Sequence, residues 1–272
     1  MSKIKNDLTL TTYLEGLTLD GKFYFTVESV LKDLAIKRSS LSVSLSRLAA
    51  KGKVKMIRKG FGVITSQTRG VLDPSYFIDA MMNYLGSRYY VGLLSAASHW
   101  GASHQAVMQY CVVTDKVMKP VNLGRIKIVF VTKNNFDEIT EVERVAGLGG
   151  YYNVSSPQLT VIDLVRFTKM GGYLNNVATV FEDLFDSVNL EKFGSICNKS
   201  STPTVTLQRL GYLLDKVLGL KEAAQVVATA LVKRKVARSV LSVANSEVGM
   251  KYSDLPFDEK WSLYKNTEVE PD

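Results

Sequence analysis

Leu41, Leu45 and Leu48 recur at helical spacing inside thirty-nine consecutive residues, Leu34 to Leu72, that contain no Asp or Glu. At about 100° per residue these leucines define one buried stripe, so Ser39, Val43, Ser46, Arg47 and Ala50 form the opposite, outward face. Thr26 is a good N-cap for a preceding helix, Val27 to Leu34, with Val27, Val30, Leu31 and Leu34 on one side. A short turn, Ala35 to Arg38, comes next, and Ser39 is expected to cap the second helix. After a C-cap at Lys51-Gly52, Val54 and Met56 alternate with Lys53 and Lys55 up to Arg58-Lys59-Gly60, and Phe61-Gly62-Val63-Ile64 returns the chain. Helix, turn, polar-faced helix and basic hairpin, in that order, predict a winged helix-turn-helix. Residues 5–16 are expected to supply its first helix and Phe23 to Phe25 an edge strand.

Charge is distributed to match. Residues 1–70 carry 13 Lys and Arg against 5 Asp and Glu, net +8, while residues 71–272 carry 21 of each, so the first segment holds the whole net charge. Cations confined to a compact segment are the electrostatic footprint of nucleic-acid binding, because each one that neutralises a phosphate releases condensed counterions. A solvated basic face is the bland alternative, and a protein-docking winged helix would have no need of so many cations. Four of the five outward residues of the second helix are small and suit close approach to the major groove, where Arg47 can make a two-pronged contact to guanine. Ser39, Ser42, Val43, Ser46 and Arg47 are therefore the expected base contacts. Lys37, Arg38, Lys51, Lys53, Lys55, Arg58 and Lys59 are the expected backbone contacts.

At 272 residues, 46% of them hydrophobic, the chain is long enough for more than one core. The expected division is 1–70, the winged helix, and 71–272, a larger α+β domain with a small sheet and a helical C-terminal part. Asp73-Pro74 marks the start of a helix running to Gly86, and Tyr89 to Ser98 reads as another. Gln109 to Thr114 and Arg125 to Thr132 have strand character, the latter alternating Ile126, Ile128 and Phe130 against Lys127, Val129 and Val131, and Glu138 to Val145 adds a third strand before Gly147 to Gly150 breaks the chain. Ser155-Ser156-Pro157 starts a helix, with Gln158 placed for a capping box if Ser155 caps; further helices are read over Leu174 to Val188, Val205 to Leu218 and Lys221 to about Arg238. Lys233, Arg234, Lys235 and Arg238 could be read as a second nucleic-acid patch, but cations at a helix C-terminus are favoured by the macrodipole alone, and that reading is preferred. In the acidic tail, Trp261, Leu263 and Tyr264 are expected to dock as apolar anchors.

Signatures of catalysis are weak. His99 and His104 lie five apart instead of the four that puts two imidazoles on one helix face, Cys111 and Cys197 have no ligand-like spacing, and neither a dinucleotide nor a Walker glycine motif is present. No metal and no cofactor are expected. Asp163 with Arg166, and Glu141 with Glu143, read as surface pairs or solvated carboxylates, so an enzyme is not expected. Two isolated cysteines, no apolar signal core in Met1 to Leu10 and no apolar run long enough to cross a bilayer point to a cytoplasmic protein without a membrane role.

Several segments, in this order, resemble the AbiEi-type antitoxins, the abortive-infection antitoxins of bacterial type IV toxin–antitoxin systems. They are the winged-helix stretch Ser46-Arg47-Leu48 to Phe61-Gly62-Val63-Ile64, Tyr89 to Gly101, Tyr151 to Phe167, Gly171 to Leu184, Gln208 to Asp215 and Asp258 to Asp272. The resemblance implies an N-terminal winged helix that binds inverted repeats in the promoter of its own operon. It also implies a C-terminal domain that neutralises a nucleotidyltransferase-like toxin encoded beside it, with direct contact between the two left open. Two rival readings of residues 71–272 remain. One is a ligand-responsive regulator, which a pocket of converging polar groups would favour. The other is an enzyme built on a buried cluster among Asp115, Glu138, Glu141, Glu143 and Asp163.

Overall fold

The computed structural model describes residues 9–65, 72–102, 109–244 and 251–271. Its fold is α+β: a small N-terminal unit and a larger unit built on a six-stranded mixed sheet.

Thr9 caps the first helix, α1 (Leu10–Leu19), accepting a hydrogen bond from the Thr12 amide at 3.2 Å. Of the helix expected over 5–16, residues 5–8 lie outside the described residues, and the observed helix continues to Leu19. The edge strand β1 (Tyr24–Thr26) leads into α2 (Val27–Leu34), where Thr26 and Ser29 form a reciprocal capping box. Ala35 in a left-handed conformation turns the chain into α3 (Arg38–Ala50). That helix starts one residue earlier than expected: Lys37 occupies the cap position without a side-chain bond, and Ser39 lies inside the first turn. Strands β2 (Val54–Arg58) and β3 (Phe61–Ile64) form the hairpin, in sheet order β1-β3-β2. A bulge between Met56 and Arg58 breaks the expected alternation, so Val54 and Ile57 are buried and Met56 is exposed. Leu10, Leu14, Phe25, Val30, Leu41, Leu45, Leu48, Val54 and Ile64 form the core of this unit.

The second unit begins with Asp73, whose carboxylate accepts from the Ser75 amide at 2.8 Å, but the helix expected there is split into a 3-10 turn, Pro74–Tyr76, and α4 (Ile78–Tyr84). Residues 89–98 are not one helix. They form β4 (Tyr89–Val91) and α5 (Leu93–His99), because the strand lies inside the sheet, apolar on both faces, and offers no alternation to read. Strands β5 (Gln109–Thr114), β6 (Val121–Leu123) and β7 (Ile126–Thr132) come next, then β8 (Val142–Gly147) and β9 (Gly150–Ser155). Of the strand expected over Glu138 to Val145, Glu138 instead ends a 3-10 turn, and the glycines expected to break the chain close the β8–β9 hairpin. The sheet order is β6-β7-β5-β4-β9-β8, with β5–β7 and β4–β9 parallel.

Helices cover one face: α6 (Pro157–Arg166), α7 (Tyr173–Leu184), α8 (Leu190–Cys197), α9 (Thr204–Tyr212) and α10 (Lys221–Val232). Ser156, not Ser155, caps α6 by accepting from the Leu159 amide. Helix α8 is additional to the expected helices, α9 continues through a π turn at Leu213–Val217, and α10 stops six residues short of Arg238. A second small sheet, β10 (Ser239–Val240), β11 (Phe257–Asp258) and β12 (Leu263–Tyr264), closes the chain in the order β10-β12-β11.

The two faces of the large sheet have different partners. Tyr90, Cys111, Val113, Val129 and Val131 point into the helical core. Tyr89, Val91, Val112, Ile128, Tyr152 and Val154 point the other way, onto Phe77, Ile78, Met81 and Met82 and onto Ile57, Phe61 and Val63 of the winged-helix hairpin. Strand β3 is buried along its whole length because Ile64 packs into its own unit while Phe61 and Val63 pack into the next.

Candidate nucleic-acid interface

The leucine stripe orients α3 so that Ser39, Ser42, Val43, Ser46 and Arg47 are all exposed, and Val43 keeps 52% of its surface. Lys37 and Arg38 stand at the helix start, where free backbone amides and the positive end of the macrodipole favour an anion. Lys51, Lys53, Lys55 and Lys59 are exposed as well. The structure thus brings eleven of the twelve expected contact residues to the surface of one small unit.

Arg58 is placed differently. Its guanidinium donates to the Lys119 carbonyl at 2.7 Å and stacks over the Phe130 ring at 5.0 Å, and burial lowers its pKa. The neighbouring turn is anchored too: Tyr84 Oη donates to the Lys59 carbonyl at 3.2 Å, and Phe23 packs on Tyr76 with ring centroids 4.4 Å apart. Gly60 is required here twice over. Its φ of 81° is left-handed, and a Cβ would lie 2.2 Å from Tyr84 Oη. The wing is therefore a bracket between the two units, and its tip faces the second unit.

Most buried charges of the second unit are paired internally, while two buried polar atoms, Tyr110 Oη and Gln158 Oε1, have no hydrogen-bond partner among the described residues. Asp163, fully buried on α6, accepts from Lys133 Nζ at 2.7 Å and Tyr90 Oη at 2.5 Å, instead of forming a surface pair with Arg166. Asp79 takes a two-pronged contact from Arg144 and a hydrogen bond from Tyr89 Oη, which hold its carboxyl below the usual range against the opposing effect of burial. Asp215 accepts from Lys221 Nζ at 2.8 Å, Lys260 Nζ at 3.0 Å and Trp261 Nε1 at 3.1 Å. The bond from Lys221 is the largest cause holding its carboxyl well below the ordinary range. Gln208 donates to the carbonyls of Ala237, Trp261 and Ser262, so Gln208 and Asp215 together pin the C-terminal segment; Trp261 and Leu263 are buried as expected, whereas Tyr264, the third expected anchor, is only half-buried and packs on Phe257 and Tyr252. Arg234 donates to the carbonyls of Cys197, Lys199 and Thr202, tying α10 to the end of α8.

Sequence reasoning missed Lys133, Tyr90, Asp79 and Arg144 as structural centres. The available signal was a lone charge in an apolar run: Asp163 within TVIDLVRF, Lys133 after VFVT and Asp215 within LGYLLDKVLGL.

The carboxylates Asp115, Glu138, Glu141, Glu143 and Asp163 do not form a buried cluster: only Asp163 is buried. Among the described residues no group of three His, Cys, Asp or Glu is arranged to hold a metal ion. His99 contacts Tyr152 Oη through Nδ1, and burial lowers its pKa; His104 lies outside the described residues. Both thiols, Cys111 and Cys197, are pushed up to about 12 by burial, which leaves them protonated and inert. The groove between residues 133–141 and 196–202 is lined by Lys133, Arg166 and Lys199, but Lys133 is paired with Asp163 and Lys199 with the Glu138 carbonyl and Thr140 hydroxyl.

These features define a class: a winged helix bracketed to a mixed α/β unit whose buried charges are internally paired. Residues 90–216, within the second unit, match the family model of the AbiEi antitoxin C-terminal domain. The Rv2827c protein of Mycobacterium tuberculosis is similar in fold, with 14% identity, a TM-score of 0.65, and coverage of 93% of this chain and 89% of that one. An antigenic nucleotidyltransferase-like protein from Paracoccidioides brasiliensis overlaps 56% of this chain and 90% of its own, at 9% identity and a TM-score of 0.34. No curated protein matches the sequence at a significant level. Among the described residues no helix is long and apolar enough to cross a membrane.

Proposed function

We propose that this protein is a cytoplasmic antitoxin of a type IV toxin–antitoxin system that also represses its own operon, binding inverted repeats in the promoter through the winged helix. The observation that carries the DNA half is the outer face of α3: Ser39, Ser42, Val43, Ser46 and Arg47 exposed together, with cations at both ends and no acid between Lys37 and Lys59. The AbiEi domain supports the antitoxin half, with a nucleotidyltransferase-like toxin as functional partner. We take the domain division as residues 1–70 and 71–272; its boundary lies outside the described residues. The internally paired charges of the second unit support a non-catalytic role. The groove between residues 133–141 and 196–202 does not favour a ligand-responsive regulator, because its Lys133 and Lys199 ammonium groups are already paired.

The test is titration of the full chain against its own promoter and a scrambled duplex at several salt concentrations. Promoter preference of at least about 10³-fold is expected, with a loss of about 10² to 10³-fold in affinity between 50 and 200 mM salt if five or so cations reach phosphates. Arg47→Ala should relax sequence preference by about 1 to 3 kcal/mol, whereas Lys55→Ala should weaken all sequences alike and reduce the salt slope by roughly one unit. Equal losses on promoter and random DNA for both variants would overturn this division of labour.

A further inference from the structure

The small C-terminal sheet turns opposite faces to opposite environments. Leu263 on β12 is fully buried beneath it, and its neighbour Asp258 accepts a hydrogen bond from the Trp261 amide. The outer face takes the alternate register, Val240 beside Tyr264 and Tyr264 beside Phe257, across all three strands. An outward face of such a sheet is ordinarily polar. This one carries rings. Tyr264 lies between Phe257, with centroids 4.8 Å apart, and Tyr252, at 5.7 Å and nearly parallel.

Cations accompany the rings. Arg238 sits over Phe257 at 5.1 Å and donates to Tyr264 Oη at 3.4 Å. Lys233 and Lys235 are exposed in the segment leading into β10, and exposed Lys251 directly precedes Tyr252. Arg234, by contrast, is fully spent on backbone carbonyls. Tyr252 keeps 46% of its surface, so its ring is open to solvent.

We propose that this face binds single-stranded RNA, stacking an unpaired base on the open face of Tyr252, which Tyr264 backs from the other side, while Lys233, Lys235, Arg238 and Lys251 hold the phosphates. Rings with a free π-face accept any base, and flanking cations track the backbone. RNA presents unpaired bases in loops and ends, whereas a closed duplex keeps its bases stacked internally. The surface is separate from the winged helix in sequence and in structure, so it does not depend on the DNA reading above.

The experiment is fluorescence anisotropy of the full chain with an unstructured single-stranded RNA 12-mer, the same RNA as a closed duplex, and promoter DNA. The single strand is expected to bind more tightly than the closed RNA duplex. Tyr252→Ala should weaken the single strand by about five- to a hundredfold, Tyr252→Phe should retain binding, and neither should change the promoter affinity. Lys233→Ala with Lys235→Ala should reduce the salt slope on RNA alone. The triple variant Lys51→Ala, Lys53→Ala, Lys55→Ala should lose DNA and keep RNA. Unchanged RNA binding in Tyr252→Ala, or RNA binding lost together with DNA in the triple variant, would overturn the proposal. So would a Tyr252→Ala defect confined to co-elution with the neighbouring toxin, which would make this a protein-docking face.

Discussion

Ending the chain after residue 65 is expected to leave a winged helix that does not hold its fold. Ile57, Phe61 and Val63 are 8%, 0% and 0% exposed because they pack into the core formed with Phe77, Ile78, Met81 and Met82. Removing the second unit opens all three to water. At about 1.5 to 3 kcal/mol for each large apolar side chain, the loss is about 4.5 to 9 kcal/mol. This is an upper figure, since Phe61 keeps its stacking on Tyr24 at 5.5 Å. The truncation also removes the Arg58 bond to the Lys119 carbonyl and the Tyr84 bond to the Lys59 carbonyl. A whole domain is stable by only about 5 to 15 kcal/mol, and small ones sit at the low end. Far-UV circular dichroism across a urea titration, with dye binding to exposed apolar surface, measures the effect. A fragment that unfolds cooperatively at the midpoint of the full chain would refute the bracket and show that the hairpin carries its own core.

The second unit offers three more tests. Lys133→Ala leaves the buried Asp163 with only the Tyr90 hydroxyl and should cost about 3 to 5 kcal/mol in urea unfolding; pairing it with Asp163→Asn should recover much of that, whereas additive losses would show the two groups to be uncoupled. Asp215 has a depressed carboxyl pKa in the folded state, so its contribution is fully present above the unfolded value of about 3.9 and drains as the pH falls below it. Stability compared with Asp215→Asn should therefore begin to converge as the pH falls below about 4, and parallel curves would exclude this linkage. In Gly211→Ala the new Cβ would lie 1.9 Å from the Trp261 ring, so the ring must shift, at a cost of about 1 to 3 kcal/mol and a change in tryptophan emission. An unaltered spectrum with unaltered stability would show that the C-terminal segment is not packed as described.

Local chemistry made the winged helix legible. Thr26 can cap only the residues directly after it, the spacing of Leu41, Leu45 and Leu48 fixes which face of α3 is wet, and the absence of acids from Leu34 to Leu72 fixes the sign of its field. The second unit was less legible where burial is two-sided. Strand β4, with Tyr89, Tyr90 and Val91 all buried, carries no alternation and reads as helix; only pairing with β5 and β9 makes it a strand.

The same limit explains the wing and the buried charges. A sequence shows that Arg58 is a cation and Asp163 an acid, but what they face depends on segments far along the chain: Lys119 and Phe130 for one, Lys133 and Tyr90 for the other. Periods of 3.6 and 2 residues are written locally and set which side of an element is apolar. Which surface covers that side, and which partner neutralises a buried charge, is settled by the packing of distant segments, and only the tertiary structure decided those here.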